Sequence, residues 1–264
     1  MFKADLHTHS TFSDGSLTPK ELILEAKKRH LSALSITDHD NVDAFFEAEP
    51  IAKQEGIQLL QGLELSCELL STSIHVLGYG FDLEMMQKLC HRFLELRAER
   101  NAKIIEKLQK KGIAIKLDDL EGSYSMALGR PHIAAKLVEL GTVQSFQQAF
   151  EQYIGNDAPC YVSGHRPSVF EGIELIHEAG GKAILAHPHF MQNELILNEL
   201  LLHPFDGIEA HYAYFSKAQC DYFVNIAKQK QWLITGGSDF HGPTKINQLG
   251  SYYTDEETFN LLLP

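Results

Sequence analysis

The chain contains few cysteines, and none are spaced as pairs. Cys67, Cys90, Cys160 and Cys220 lie far apart with no Cys-x-x-Cys spacing, which argues against a thiolate cluster or a disulfide framework and fits reduced thiols in a cytoplasm. No window approaches the roughly 18–20 apolar residues that a membrane helix requires. The N-terminus runs at once into Phe2-Lys3-Ala4-Asp5-Leu6, with no basic region and no long apolar stretch, so a cleaved signal peptide is not expected. Internal repeats and low-complexity tracts are absent. Basic residues are outnumbered, 23 Lys and Arg against 35 Asp and Glu, for a formal charge of −12. That balance argues against a stable complex with nucleic acid, which calls for a basic surface. The remaining composition, 44% hydrophobic and 22% charged over 264 residues, is that of a globular chain able to bury a full core.

Seven short runs rich in apolar or β-branched residues read as buried strands: Phe2–Leu6, Ala33–Thr37, Ile57–Leu65, Ile74–Phe81, Ala183–Ala186, Gly207–Glu209 and Trp232–Thr235. Helical patterns lie between most of them. Thr18-Pro19-Lys20-Glu21 is a capping box with proline at the first helical position, opening a helix to about His30. Further helices are expected at Pro167–Ala179 and Ser216–Gln231. Alternating strands and helices predict a parallel sheet. A distorted seven-stranded α/β barrel is the preferred architecture, with an open sheet as the alternative. Between Phe81 and Lys182 the alternation stops. A long helical pattern at Met85–Lys111 and shorter ones at Pro131–Leu140 and Gln144–Tyr153 predict a helical cap inserted over 83–181, between barrel segments 1–82 and 182–264.

Nine residues able to bind metal punctuate this pattern: His7, His9, Asp14, His39, Glu64, His75, His187, Asp239 and His241. They fall in short pieces such as Asp5-Leu6-His7-Thr8-His9-Ser10, Thr37-Asp38-His39-Asp40, Ala186-His187-Pro188 and Ser238-Asp239-Phe240-His241-Gly242. All but Asp14 and His75 are expected at or just past the C-terminal end of a strand, the rim where α/β barrels build their sites. His75 instead sits near the start of its strand. His7 and His9, two apart on a strand end, point to the same side. Imidazole and carboxylate without thiolate suit Zn, Mn or Fe. The set predicts a multinuclear metallohydrolase, and its dications would reverse the local field enough to admit a phosphate-bearing substrate.

These pieces resemble the PHP superfamily, the polymerase and histidinol phosphatase group of metal-dependent phosphoesterases. The resemblance runs from Asp5-Leu6-His7-Thr8-His9-Ser10 to Ser238-Asp239-Phe240-His241-Gly242 and implies a distorted (β/α)7 barrel. Gly129-Arg130-Pro131-His132-Ile133-Ala134 is similar to the bacterial branch that hydrolyses nucleoside 3′,5′-bisphosphates and acts as a 5′→3′ exonuclease on short RNA. The resemblance assigns one metal to His7, His9, Glu64 and Asp239, a second to Asp14, His39 and His241, and a third to Glu64, His75 and His187. Two to three divalent ions are implied. Asp14 stands where other branches place histidine, which moves the expected metal toward Mn or Fe and away from Zn. The implied reaction is attack of a metal-bound hydroxide on phosphorus. Arg130 and His132 are the implied substrate-binding residues, with a phosphate shared between the Arg130 guanidinium and a helix N-terminus.

Other residues carry weaker expectations. Tyr124, Phe146 and Tyr153 are candidates to stack on a base or to pack the cap. His165 and Arg166 are candidates to touch substrate or to cap the next helix, His189 to support the neighbouring ligand His187, and His211 to join the rim after the sixth strand. Ser10, Ser13 and Ser238 are expected in turns and supporting contacts. Two alternatives stand beside the nucleotide reading: a phosphomonoesterase of a small metabolite such as histidinol phosphate, and a PHP module kept for structure or interaction.

Overall fold

The computed structural model describes residues 2–120, 128–164, 166–188, 193–213 and 215–264. Tyr124, His165 and His189 lie outside the described residues. The chain divides into two compact units, one of Met1–Cys90 with Arg166–Pro264 and one of His91–His165.

The larger unit is organised by one seven-stranded sheet whose strands lie in chain order. They are β1 (Ala4–Asp5), β2 (Ala33–Ile36), β3 (Gln58–Leu69), β4 (Thr72–Tyr79), β5 (Lys182–Leu185), β6 (Gly207–Tyr212) and β7 (Leu233–Gly237). Each expected run yields a strand. The sheet is not wholly parallel, however, because β4 runs against both β3 and β5. The reversal is made at Leu70 and Ser71, whose φ angles of 49° and 63° are those of a two-residue hairpin turn. Such a turn is usually announced by Asn-Gly or Asp-Gly. Leu-Ser carries no such signal, so the expectation of a parallel sheet fails at this strand. Past β1 and β7 the two edges meet. Thr8 bridges Phe240 in parallel register, and the His9 N–H donates to the Phe240 carbonyl at 2.9 Å, so the sheet curls into a nearly closed, distorted barrel.

Helix α1 (Pro19–Lys28) starts as the capping box predicts: Thr18 Oγ1 accepts from the Glu21 N–H, and the Glu21 carboxylate accepts from the Thr18 N–H at 2.9 Å. Its Leu22, Ile23 and Ala26 pack with Leu34 and Ile36 of β2 and with Ala44, Ala48 and Ala52 of α2 (Ala44–Glu55). Helix α3 (Leu83–Lys110) crosses the boundary between the units.

The smaller unit adds α4 (Arg130–Glu139) and α5 (Phe146–Ala149), the latter continued by a wider turn through Phe150–Ile154. It has its own core, including Ile104, Leu108, Ile133, Leu137, Ala149 and Ile154. The chain returns to the barrel with α6 (Val169–Glu178), capped by Ser168 and Glu171. Ile176 of α6 lies against Gly78 of β4, so this helix belongs to the barrel, and the compact inserted unit is shorter than the 83–181 expected. Helices α7 (Glu194–Leu200), α8 (Lys217–Lys230) and α9 (Glu256–Leu262) follow. Phe259 and Leu262 of α9 bury themselves with Ala4, Leu6, Leu60 and Tyr79, filling the barrel beneath the site. Among the described residues no helix is long and apolar enough to cross a membrane.

Candidate active site

The reversal of β4 explains the one ligand that looked misplaced. Five strands end at one rim, and an antiparallel strand begins there, so His75, early in β4 and opposite Ser66 of β3, comes to the same side. His7 and His9 follow β1, His39 follows β2, His187 follows β5, and Asp239 and His241 follow β7. Glu64 lies inside β3 rather than at its end, because the strand continues into the hairpin. All nine candidates converge.

Glu64 is the centre, 1% exposed. Its Oε1 lies 2.7 Å from His75 Nδ1 and 2.8 Å from His187 Nε2. Its Oε2 lies 3.3 Å from His7 Nε2, 3.2 Å from His9 Nε2 and 3.2 Å from His39 Nδ1. Asp239 Oδ1 completes the His7–His9 side at 3.3 and 3.1 Å. Farther out, Asp14 Oδ1 stands 3.2 Å from His241 Nε2, 3.7 Å from His9 Nδ1 and 3.9 Å from His39 Nε2. Asp14 is the open edge of the site, its side chain 48% exposed. Three sets of mutually close ligand atoms result: His7, His9, Glu64 and Asp239; His9, Asp14, His39 and His241; and His39, Glu64 and His75.

Buried carboxylates brace this arrangement, each reaching to a neighbouring segment. Asp5 accepts from the Ser238 N–H at 2.9 Å, the Ser238 hydroxyl at 2.6 Å and the Gly250 N–H at 2.7 Å, holding the loop that carries Asp239. Asp38 accepts from the Ser10 N–H at 2.7 Å and the Ser10 and Ser13 hydroxyls, both at 2.5 Å, holding the loop that carries His9 and Asp14. Ser10, Ser13 and Ser238 are thus loop anchors, as expected. Asp40 accepts from the Ser66 N–H at 2.7 Å. Glu209 of β6 meets His7 Nδ1 at 2.9 Å and the His187 N–H at 2.8 Å, and the Tyr212 hydroxyl donates to Asp239 Oδ2 at 2.5 Å. Sequence reasoning missed Glu209 and Tyr212. The only signal was their place at the end of the sixth expected strand, beside His211, which is itself partly exposed.

Strain and close approach concentrate here. Asp40, His187 and Asp239 have φ of 51°, 25° and 51°, conformations that non-glycine residues hold only when their surroundings impose them. Gly237 has a steric reason: a Cβ there would run into the His7 Cβ and lie 2.6 Å from the His7 nitrogen.

The charges are strongly coupled. Burial opposes ionisation of Glu64 and Asp239, yet the surrounding histidines hold both well below the ordinary carboxylate range. Burial likewise opposes charge on His9, but the adjoining Asp239 and Glu64 carry its pKa up to about 10. At His39 burial prevails and the pKa falls to about 4. The fit to metal rests on the ring nitrogens. His7 Nε2, His9 Nε2 and His39 Nδ1 are buried with no hydrogen-bond partner, although carboxylate oxygens crowd within 3.1–3.3 Å. Nitrogens so placed aim at points between the carboxylates, which is how ligands converge on an ion. The donors suit Mn, Fe or Zn.

In the smaller unit, Arg130 opens α4 and donates to Asn156 Oδ1 at 3.0 Å, with its guanidinium over the rings of Phe150 and Tyr161. His132 Nδ1 accepts from the Gly129 N–H at 3.1 Å, capping the same helix. Tyr153 packs against that unit's core, whereas Phe146 is exposed. Arg166, in the barrel unit, donates to Ser73 Oγ at 2.9 Å, and Ser73 lines the same cavity as His75 and His187.

Comparison with known proteins places these features in context. The model of the PHP domain matches residues 5–155. A 5′-3′ exoribonuclease of Haemophilus influenzae is 34% identical, over 94% of this chain and 93% of that one. A 3′,5′-nucleoside bisphosphate phosphatase of Chromobacterium violaceum is 31% identical, over 92% and 88%. The crystal structure of a metal-dependent phosphoesterase from Bifidobacterium adolescentis superposes with a TM-score of 0.79 at 29% identity, covering 99% of this chain and 95% of that one.

Proposed function

This chain belongs to the PHP domain family of metal-dependent phosphoesterases, and from that premise we propose that it hydrolyses nucleoside 3′,5′-bisphosphates and trims the 5′ ends of short RNA. The bisphosphate would lose its 3′-phosphate and leave the nucleoside 5′-monophosphate. The observation that carries this reading is Glu64, whose two oxygens face two separate groups of imidazoles, so that this one carboxylate would serve two ion positions.

His7, His9, Glu64 and Asp239 would hold one ion; Asp14, His39 and His241 a second; Glu64, His75 and His187 a third. Manganese is the first choice, because Asp14 adds oxygen to the outer position, with iron and zinc as alternatives. When bound, such ions lower the pKa of a coordinated water and neutralise the non-bridging oxygens of a phosphate. The protein's own part is geometric. A cavity of about 320 Å³ lined by His39, Glu64, Ser73, His75, His187, Asp239 and His241 receives the reacting phosphate. Asp5 and Asp38 hold the ligand loops in place by their hydrogen bonds to Ser238, Gly250 and Ser10. Arg130 and His132 are retained as the substrate-binding pair. The unbridged cysteines support a cytoplasmic setting.

Phosphate release from adenosine 3′,5′-bisphosphate by the Mn-loaded protein tests the reading, with 3′-AMP, 5′-AMP and histidinol phosphate as comparisons. Turnover of the bisphosphate to 5′-AMP, well above the other three, is the expected result. Preference for histidinol phosphate would overturn it. Arg130→Ala is expected to raise KM for the bisphosphate by about 10–100-fold, the worth of a charge-assisted hydrogen bond. Hydrolysis of a simple aryl phosphate should change little; equal losses on both substrates would remove Arg130 from this role.

A further inference from the structure

We propose that Glu209 is a positioning residue that fixes the tautomer of His7 and clamps His187, so that one buried carboxylate supports ligands of two different metal positions. The proposal rests on the ligand assignments above. Glu209 is 1% exposed on β6, and its two oxygens are divided: Oε1 stands 2.9 Å from His7 Nδ1, and Oε2 accepts from the His187 N–H at 2.8 Å. An ionised carboxylate can only accept hydrogen bonds. In the neutral form that binds metal, His7 would therefore keep its ring proton on Nδ1, leaving for coordination Nε2, the nitrogen that faces Glu64 and Asp239 at 3.3 Å without a hydrogen bond to either. On its other side, Glu209 holds the backbone of a residue with φ of 25°, and that residue's Nε2 lies 2.8 Å from Glu64 Oε1. Glu209 thus controls one nitrogen facing each oxygen of the central carboxylate.

Glu209→Gln separates these roles. The amide has the same shape but one accepting and one donating end. The His187 N–H cannot change its role, so the amide oxygen stays with it. The NH2 end then faces His7 Nδ1, which must accept. The ring proton moves to Nε2, where it blocks coordination. Loss of such a supporting contact weakens metal binding by about 10–100-fold. We expect that loss at the His7 position alone, with the His75–His187 position unchanged.

Two measurements decide it. In the wild-type Zn-loaded protein, nitrogen-15 NMR of the histidine rings should place the His7 proton on Nδ1; a proton on Nε2 would overturn the proposal even if the variant failed to fold. Metal titration of Glu209→Gln should show one weakened equivalent, and wild-type affinity at every equivalent would equally overturn it. His7→Ala run in parallel keeps the two levels apart. If His7→Ala also retains every equivalent, the ligand assignment has failed; if it loses one while Glu209→Gln loses none, only the role of Glu209 has.

Discussion

His9→Ala is expected to lower kcat by on the order of 10³-fold or more and to reduce the bound metal at the same time. His9 is the one residue shared by the inner set with His7, Glu64 and Asp239 and the outer set with Asp14, His39 and His241. Its ring lies between them, 4.1 Å from the His241 ring and 4.7 Å from that of His39 by centroids. Removing it takes a fully buried ligand out of both sets. Polarisation by a bound ion supplies several kcal/mol of transition-state stabilisation, and each 1.36 kcal/mol is a factor of ten in rate. Asp239→Asn tests the same point while keeping the shape: the amide retains one acceptor but loses the charge that faces His7 and His9 at 3.3 and 3.1 Å. Metal analysis of each purified variant, run beside the bisphosphate assay, provides the check. Full metal content with full activity in either variant would sink the multinuclear reading.

Stripping metal is expected to destabilise the fold as well as stop turnover. His7, His9 and Glu64 are almost completely buried, so the charges gathered there have little water to solvate them. Ions that bind the native state alone stabilise it by mass action, about 4 kcal/mol at a thousand times Kd. For a chain of this size that corresponds to a Tm shift on the order of 10 °C. Thermal melts in EDTA, in Mn and in Zn should separate accordingly, with Asp239→Asn responding less to added metal than the wild type. Coincident melts in chelator and in Mn would mean that the ligand cluster does not bind ions tightly enough for the proposed chemistry.

The local pieces of this architecture were readable because each depends on near neighbours. Thr18-Pro19-Lys20-Glu21 starts a helix by bonds that span three residues. The seven apolar runs become strands because nothing within them interrupts extended backbone, and the Gly129–His132 segment begins a helix where its proline allows. The convergence of the histidines on one rim followed from strand ends in a barrel and needed no distances. His75 looked wrong only because the direction of its strand was wrong. The Leu70–Ser71 turn reverses the chain without a residue type that announces it.

By itself, then, the sequence determined the seven strand runs, the nine candidate ligands and a shared rim for those at strand ends, since local periodicity and the alternation of strands and helices suffice for those. Tertiary structure alone decided the direction of β4, the place of α6 in the barrel, the division of Glu64 between two groups of imidazoles and the part played by Glu209. The physical reason is separation along the chain. Glu64 meets His187 across 123 positions and Glu209 meets His7 across 202, and hydrogen-bonded pairs so distant leave no periodic trace in the sequence. They exist only once the barrel has closed.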